Sequence, residues 1–402
     1  MRQARELYGI GVQSVGAAAA SLFPALIAPI VSPSAFKGFS ELFFLANLSS
    51  LLGCLGIDQL LVRRGRSLKT AFSVFATTAV ASGLIVNVAA TEQLDAGVLG
   101  VVVGSLAINL GNYLQTRFYF TSRARLGNAY AIARLVCVAF AIVAISYLKT
   151  VPALFATWLA AQVVPIAICV VVLDRPVSKN TQAEARTDIN ELGFPLTESL
   201  MYFFVFSAPS IVLAVERAVA AHVLSGPVLK HYIVGSFALS VATYCGVGVE
   251  RHLSATFGPR TRERAQRWMT LVLACYVPSS ALLLLLLYQG VDHMHEWHTA
   301  LGANVGALLL GGIHIYLYFT VAPEVFRAAG RRTMAMLSGI GVLTVTWAGT
   351  IFLLADRMIA VAGLPIVIAL LYAALALGSL IRFVVVWRDV HTTEALIGGA
   401  DE

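Results

Sequence analysis

The chain consists almost entirely of long apolar runs separated by short polar connectors. Each run has the length of about 20 residues with which an α-helix crosses the hydrocarbon core of a bilayer. Helix breakers such as Pro33, Pro152 and Pro227 fall at or near the ends of the runs. The pattern predicts an all-α, polytopic membrane protein with twelve spans, over residues 7–31, 38–61, 70–91, 96–120, 127–148, 151–173, 192–215, 229–253, 266–288, 300–324, 333–355 and 359–387.

Lys and Arg residues are divided unequally between alternate connectors. Twenty lie in one set of connectors: Arg2, Arg5, Arg63, Arg64, Arg66, Lys69, Arg123, Arg125, Arg175, Lys179, Arg186, Arg251, Arg260, Arg262, Arg264, Arg267, Arg327, Arg331, Arg332 and Arg388. Five lie in the other: Lys37, Lys149, Arg217, Lys230 and Arg357. Because cytoplasmic connectors carry the excess of positive charge, we predict a bacterial inner-membrane protein with both termini in the cytoplasm.

The composition argues against a soluble enzyme. Charged residues make up 12% of the chain and hydrophobic residues 58%, whereas an ordinary globular domain has roughly 25% charged residues. The net charge of +7 does not indicate nucleic-acid binding, because the basic residues lie in connectors between apolar runs. The chain has no Walker A loop and no hydrolase motif, so we predict no cofactor and no catalytic residue.

The longest polar connector divides the chain into two sets of six spans. We predict an N-terminal lobe over residues 1–174, a cytoplasmic linker over 175–191, a C-terminal lobe over 192–388 and a cytoplasmic tail over 389–402.

The two sets of spans carry similar short segments in the same order, which indicates an internal repeat. Glu6-Leu7 opens the first span as Glu191-Leu192 opens the seventh. Gly56-Ile57-Asp58 ends the second span as Gly248-Val249-Glu250 ends the eighth. Since six spans per half preserve orientation, the repeat would be parallel, about an axis along the membrane normal.

Several of these segments resemble a known family. The resembling segments lie after spans two, four and ten and between spans seven and eight, at residues 56–64, 122–127, 326–331 and 210–232. They make the chain similar to the Wzx-type polysaccharide or O-antigen flippases of the multidrug/oligosaccharidyl-lipid/polysaccharide (MOP) exporter superfamily. One departure is Glu216, where the family pattern has Asp before the Arg.

The resemblance implies two six-helix lobes around a central cavity. It also implies alternating-access transport of undecaprenyl-pyrophosphate-linked oligosaccharide repeat units from the cytoplasmic to the periplasmic leaflet. A polysaccharide polymerase and a chain-length regulator would be the partners of such a protein, together with membrane lipid.

Charged residues inside spans are costly and are therefore candidates for a transport path. Arg suits phosphate because its guanidinium is planar and always charged. We predict that Arg117, Arg134 and Arg382 bind substrate, although snorkelling to the interface is the alternative. Lys230 could meet phosphate at release or anchor its helix.

Span four carries a stripe of polar residues on an otherwise apolar helix. Lipid cannot satisfy amide groups, so such a stripe indicates either a cavity or a tight helix contact. We favour a cavity and name its members as substrate-binding candidates: Asn109, Asn112, Tyr113, Gln115 and Thr116. Asn47 and Gln13 are similar but isolated candidates, and His314 could titrate, bond a sugar or simply pack between helices.

Three acidic residues are candidates for ion coupling or ion pairing. Glu198 lies about two turns into span seven, where it could carry a coupling proton or pair with Arg134. Asp58 and Glu250 lie at equivalent ends of spans two and eight.

Three other functions stay open at this stage. An exporter of cationic drugs would need carboxylates rather than Arg in its cavity. A membrane-embedded polysaccharide polymerase or ligase would need a sizeable catalytic loop, and the connectors here are short. The segment over residues 292–298 contains three histidines and could bind a metal, but a wet connector explains it equally, and we predict no metal site.

Overall fold

The computed structural model describes residues 7–8, 10–12, 14–15, 18, 22–57, 61, 68–91, 97–120, 124–148, 150–173, 196–255, 260–289, 295–328 and 330–398. These residues contain fifteen helices of five residues or more, which are numbered in chain order. They are α1 Phe23–Ile27, α2 Pro33–Cys54, α3 Leu68–Thr91, α4 Gly97–Phe120, α5 Ala124–Ile145, α6 Val151–Leu173, α7 Leu196–Phe206, α8 Ala208–Val223, α9 Gly226–Gly235, α10 Phe237–Ala255, α11 Thr261–Tyr288, α12 His295–Ala328, α13 Arg331–Leu353, α14 Ala355–Ala362 and α15 Leu364–Gly398.

Ten of the twelve predicted spans coincide with helices that are long and apolar enough to cross a membrane. Nine are continuous or nearly so, with α9 and α10 forming one of them, and the tenth is the bent pair α7 and α8. The all-helical, polytopic fold predicted from the sequence is therefore confirmed. Much of the predicted first span lies outside the described residues, and α1 is the part of it that can be bounded.

The predicted second span, α2, is more polar than the others because protein rather than lipid surrounds it. It has 22 residues and carries Lys37, Glu41 and Asn47. Its aromatic face packs into the core, where the rings of Phe43 and Trp158 meet edge to face with centroids 5.1 Å apart. A helix packed on α3, α4, α6 and α8 does not need the apolar surface that a lipid-facing helix needs.

The predicted seventh span needs correction, because it is longer than 192–215 and is broken. Helices α7 and α8 run to Val223 and meet at Ser207 with a bend of 61°. Pro209 causes the break, since it has no N–H to donate to the carbonyl of Val205 four residues earlier. Arg217 was expected in a connector, but it lies inside α8 with its side chain only 15% exposed.

The described helices pack in two groups. Helices α2 to α6 pack mainly on one another, and so do α7 to α15. The groups meet chiefly where α2 packs against α8 and α9. The bounds of the two predicted lobes stay a prediction, as do those of the linker over 175–191, which lies outside the described residues.

Candidate functional site

Arg134 lies buried in the N-terminal group with a neutral partner. It is 3% exposed, and its Nε and Nη2 donate to Oε1 of Gln162 at 3.0 and 2.7 Å. Gly111 on α4 leaves room for this side chain and for the hydroxyl of Tyr130. Within the described part of the chain, no carboxylate lies within 4.0 Å of the guanidinium, so its charge is not cancelled by an ion pair.

The predicted pairing of Arg134 with Glu198 is replaced by the bond to Gln162. Glu198 lies half-buried in the first turn of α7. The two side chains do not form an ion pair, because no oxygen of Glu198 lies within 4.0 Å of the guanidinium.

The described part of the N-terminal group contains several buried polar atoms without a hydrogen-bond partner, two of them on residues next to Arg134. Among the described residues, the hydroxyl of Tyr130 and Nε2 of Gln162 are buried without a hydrogen-bond partner. On α4, Nδ2 of Asn109 and both side-chain atoms of Gln115 are also buried and unpaired. We call Tyr130, Arg134 and Gln162 the Arg134 cluster.

The polar stripe on α4 does not form one uniform face. Asn109, Tyr113 and Gln115 are buried, whereas Asn112 and Thr116 are half-buried. The stripe therefore contributes both to the interior of the lobe and to its boundary.

Arg117 lies next to the Tyr113 hydroxyl on the stripe's side of α4. The ring of Tyr113 packs against Phe75 at a centroid distance of 6.1 Å.

Arg382 lies buried in the C-terminal group at the bend of span seven. Its Nη1 donates to the Val205 carbonyl at 2.7 Å, which is the carbonyl that Pro209 leaves without a helical donor. Its guanidinium lies 4.0 Å from the ring centroid of Tyr318. Arg382 therefore binds the backbone at the bend and does not snorkel to an interface.

His314 is buried on α12, which packs against α15, the helix that carries Arg382. Its Nδ1 lies 2.6 Å from the hydroxyl of Ser379 on α15. Its ring also packs against Tyr318 and Phe319. This is the arrangement expected of a histidine that packs between helices with its ring nitrogen satisfied.

A buried ion pair lies in the part of α8 that was expected to be a connector. Nε of Arg217 lies 3.8 Å from Oε2 of Glu216, which is 1% exposed, and Nη2 of Arg217 donates to Ser240 at 2.5 Å. Tyr232 donates to Glu216 through a short bond and Tyr372 donates at 3.4 Å. Two hydroxyls and one guanidinium thus satisfy this carboxylate.

At the predicted periplasmic end, Lys37 and Lys230 each donate hydrogen bonds to backbone carbonyls of the other group of helices. Lys37 on α2 donates to the carbonyls of Leu224 and His222 at 3.0 and 3.3 Å. Lys230 on α9 donates to the Val31 carbonyl at 2.6 Å. Lys37 thereby caps the C-terminal end of α8, where carbonyls without helical partners favour a cation. Lys230 binds the connector between α1 and α2.

The two lysines occupy equivalent positions in the repeat. Residues 31–37 and 224–230 both have an apolar residue and a serine at the start, a proline at the beginning of the helix and a lysine at the end. The two segments also touch, because a Cβ on Gly226 would overlap the carbonyl oxygen of Pro33. The repeat noticed in the sequence is thus matched by symmetric contacts.

The opposite end of the interface has a second pair of symmetric contacts. Gly56 has a φ of +70°, and a Cβ at this position would overlap the carbonyl oxygen of Ser199. The hydroxyl of Ser199 also donates a hydrogen bond to the Leu55 carbonyl at 2.6 Å. Gly248, the equivalent of Gly56, meets Ser14 so closely that a Cβ would overlap its hydroxyl. The two groups therefore touch at both ends of the membrane-spanning bundle.

The other predicted site residues are more dispersed. Nδ2 of Asn47 donates to Phe43 of its own helix at 2.8 Å. Glu250 is half-buried and lies close enough to Arg382 for attraction, but not within the 4.0 Å of an ion pair. Gln13 and Asp58 lie outside the described residues.

The histidine-containing segment over residues 292–298 lies partly outside the described residues. Of its described members, Glu296 accepts a hydrogen bond from the Ser225 backbone at 2.7 Å. The described ranges contain no group of three His, Cys, Asp or Glu side chains that could hold a metal.

Sequence reasoning missed Gln162, Glu216 and Ser379. Gln162 is a lone amide in a continuous apolar helix, so the rule that marked Arg134 would have marked it. Glu216 stands out in the sequence only as a departure from the family pattern, because the predicted span seven ends before it. The Val205 carbonyl has no side-chain signal. Pro209, four residues later, could have identified it as a free acceptor.

Comparison with known proteins supports the fold. No protein-family model matches the chain, and no curated protein matches its sequence significantly. The chain is similar to a MATE transporter solved in complex with MaD3S, with 14% identity and a TM-score of 0.50 over 97% of each chain. It is also similar to the eukaryotic MATE transporter AtDTX14, with 12% identity and a TM-score of 0.52 over 97% of this chain and 95% of that one.

Both neighbours are MATE proteins. At such low identities the likeness shows the fold alone. The chain is a multi-pass membrane protein with the fold of MATE transporters.

Proposed function

We propose that this protein is a transporter that flips undecaprenyl-pyrophosphate-linked oligosaccharides across the bacterial inner membrane by alternating access. The observation that carries the proposal is the environment of Arg134. Its guanidinium is 3% exposed and is held by a neutral amide, so its positive charge is available to an anion.

The Arg134 cluster offers the groups that a sugar pyrophosphate needs. A planar guanidinium binds phosphate oxygens through two parallel N–H bonds. The unpaired groups of Tyr130 and Gln162, with the amides of Asn109 and Gln115 on α4, could bond phosphate or sugar hydroxyls. Without substrate, Gln162 accepts the hydrogen bonds of the Arg134 guanidinium. A pyrophosphate would replace Gln162 as the acceptor, and no ion pair would have to break.

The symmetric contacts at the two ends of the lobe interface support alternating access. At one end, Lys37 and Lys230 bond backbone carbonyls of the opposite group. At the other, Gly56 and Gly248 allow close backbone approach. Opening one end would break the contacts there while those at the other end stay in place.

A multidrug or small-molecule exporter is the second candidate. The fold favours it, because both structural neighbours are MATE transporters. The buried carboxylate of Glu216 is the feature in this chain that suits a cationic cargo or a coupling cation. However, it is already satisfied by Arg217, Tyr232 and Tyr372.

The two candidates differ in the cargo they predict. The test uses the full-length protein in proteoliposomes that contain either a fluorescent undecaprenyl-pyrophosphate-linked oligosaccharide or the cationic dye ethidium. We expect protein-dependent transfer of the lipid-linked sugar between leaflets and no transport of ethidium. Ethidium transport without lipid transfer would support the exporter and overturn the flippase.

A further inference from the structure

A small cavity lies beside the bend of span seven, between the bent pair and helices α12, α13 and α15. Its volume is about 30 Å³, enough for about two waters and too small for a sugar ring. The polar residues of its wall are Tyr318, Thr344, Ser379 and Arg382, and the rest of the wall is mostly apolar.

Arg382 lines this cavity and carries two buried donors without a hydrogen-bond partner in the described part of the chain. Its Nη1 is occupied by the Val205 carbonyl, but Nε and Nη2 are buried and have no hydrogen-bond partner among the described residues. The residue is 4% exposed. A buried cation with unpaired N–H groups is costly unless an anion or an acceptor satisfies it.

Tyr318 lies beside the guanidinium but accepts from neither Nε nor Nη2 in hydrogen-bond geometry. The two hydroxyls of Ser379 and Thr344 are engaged elsewhere. The Ser379 hydroxyl donates to Leu375 at 2.8 Å and meets His314 at 2.6 Å, and the Thr344 hydroxyl donates to Ile340 at 2.9 Å. None of the described residues that line the cavity is acidic, and Glu250, which attracts Arg382 from outside the wall, is not among them. The wall therefore offers positive charge and N–H donors to a ligand but no carboxylate for a cation.

We infer that this cavity binds one small inorganic anion, which accepts hydrogen bonds from Nε and Nη2 of Arg382. The mostly apolar wall favours a weakly hydrated anion of the size of chloride or bromide over a large or multiply charged one. Since Nη1 of the same guanidinium holds the Val205 carbonyl, anion binding would stabilise the bend of span seven. This inference does not depend on the identity of the transported cargo.

The test is the thermal stability of the purified full-length protein in chloride or in gluconate at equal ionic strength. Gluconate is too large for the cavity. We expect chloride to raise the Tm saturably by about 2 °C, because a ligand that binds only the folded state stabilises it. A Tm that is the same in both salts would overturn the inference.

Two variants locate the effect. Arg382→Gln removes the charge and should abolish the chloride shift. Thr344→Leu fills the cavity while it leaves Arg382 in place, and it should also abolish the shift, so it decides the matter if Arg382→Gln does not fold. A chloride shift that persists in the folded variant would place the anion elsewhere and contradict the inference.

Arg134→Gln is the matched control, because it removes another buried arginine that does not line this cavity. It should retain the full chloride shift, whatever its own Tm. Loss of the shift in this control would mean that the anion binds at the Arg134 cluster.

Discussion

Arg134 and Arg382 are both buried membrane arginines, but they are held in different ways. Arg134 binds a side-chain amide in the N-terminal group, and Gln162 could release it by a change of rotamer. Arg382 binds a backbone carbonyl that a proline has left free, and this acceptor moves only if the helix moves. The first arrangement suits exchange with a ligand, and the second suits the support of a bend.

The comparison also shows that a buried arginine does not need a carboxylate. Neither guanidinium has an acidic group within 4.0 Å among the described residues, whereas Arg217 pairs with Glu216. Neutral acceptors satisfy part of each guanidinium, and neither charge is cancelled by a direct ion pair, although Glu250 attracts Arg382 from a longer distance. Positive charge available inside a bilayer is what transport of an anionic headgroup requires.

The largest expected effect comes from Arg134→Ala. We expect lipid-linked oligosaccharide flipping in proteoliposomes to fall at least about tenfold, because a charge-assisted bidentate contact contributes more than about 1.4 kcal/mol. Arg134→Lys should fall less, since it retains the charge without the fork.

Lys69→Gln is the control for Arg134, because this lysine is exposed at the start of α3 and should leave the rate unchanged. Wild-type rates in both Arg134 variants would remove Arg134 from the transport path.

The next effect concerns the two reciprocal lysines. Lys37→Gln or Lys230→Gln should weaken the predicted periplasmic contact between the groups, because each removes a charged donor from backbone carbonyls of the opposite group. Maleimide labelling of Val228→Cys, a buried position near this contact, should become about tenfold faster. The two lysines hold the same end of the interface, so their effects should overlap. The labelling rate of the double variant should therefore rise by less than the product of the two single effects. Labelling that is unchanged in the double variant would show that the lysines do not hold this end closed.

A smaller effect is expected from a double-mutant cycle at the bend. Arg382→Gln should lower stability by leaving the Val205 carbonyl without its donor. Pro209→Ala supplies a backbone N–H for that carbonyl, so the cost of Arg382→Gln should fall by about 1 kcal/mol in the Pro209→Ala background. The cycle is measured by thermal unfolding of all four proteins. Strictly additive costs would mean that the proline and the arginine do not share this carbonyl.

Much of the fold is predictable from the sequence, because apolar length and breakers such as Pro152 and Pro227 are local signals. The bounds of span seven could not be predicted in this way. Glu216 and Arg217 end the apolar run in the sequence, whereas the helix continues to Val223. Tyr232 and Tyr372, which satisfy Glu216, lie in other helices. Their contribution depends on packing that hydropathy does not encode.

The candidate site was predicted only in part. The place of Arg134 and Arg382 within apolar runs marked them as candidates but left snorkelling open, and neither their burial nor the partner of each could be predicted. Gln162 lies on another helix, and Val205 contributes a backbone atom that every residue possesses. Which acceptor is free depends on a helix break and on the crossing of distant helices, so this information appears only in three dimensions.

The most direct test of the account is whether Arg134 recognises pyrophosphate. Binding of undecaprenyl pyrophosphate and of undecaprenol to the full-length protein and to Arg134→Gln would be compared in nanodiscs. We predict that the wild-type protein binds the pyrophosphate lipid at least about tenfold more tightly than the alcohol, and that Arg134→Gln removes this difference. Equal affinity of the wild-type protein for both lipids, or the same preference in the variant, would contradict the account.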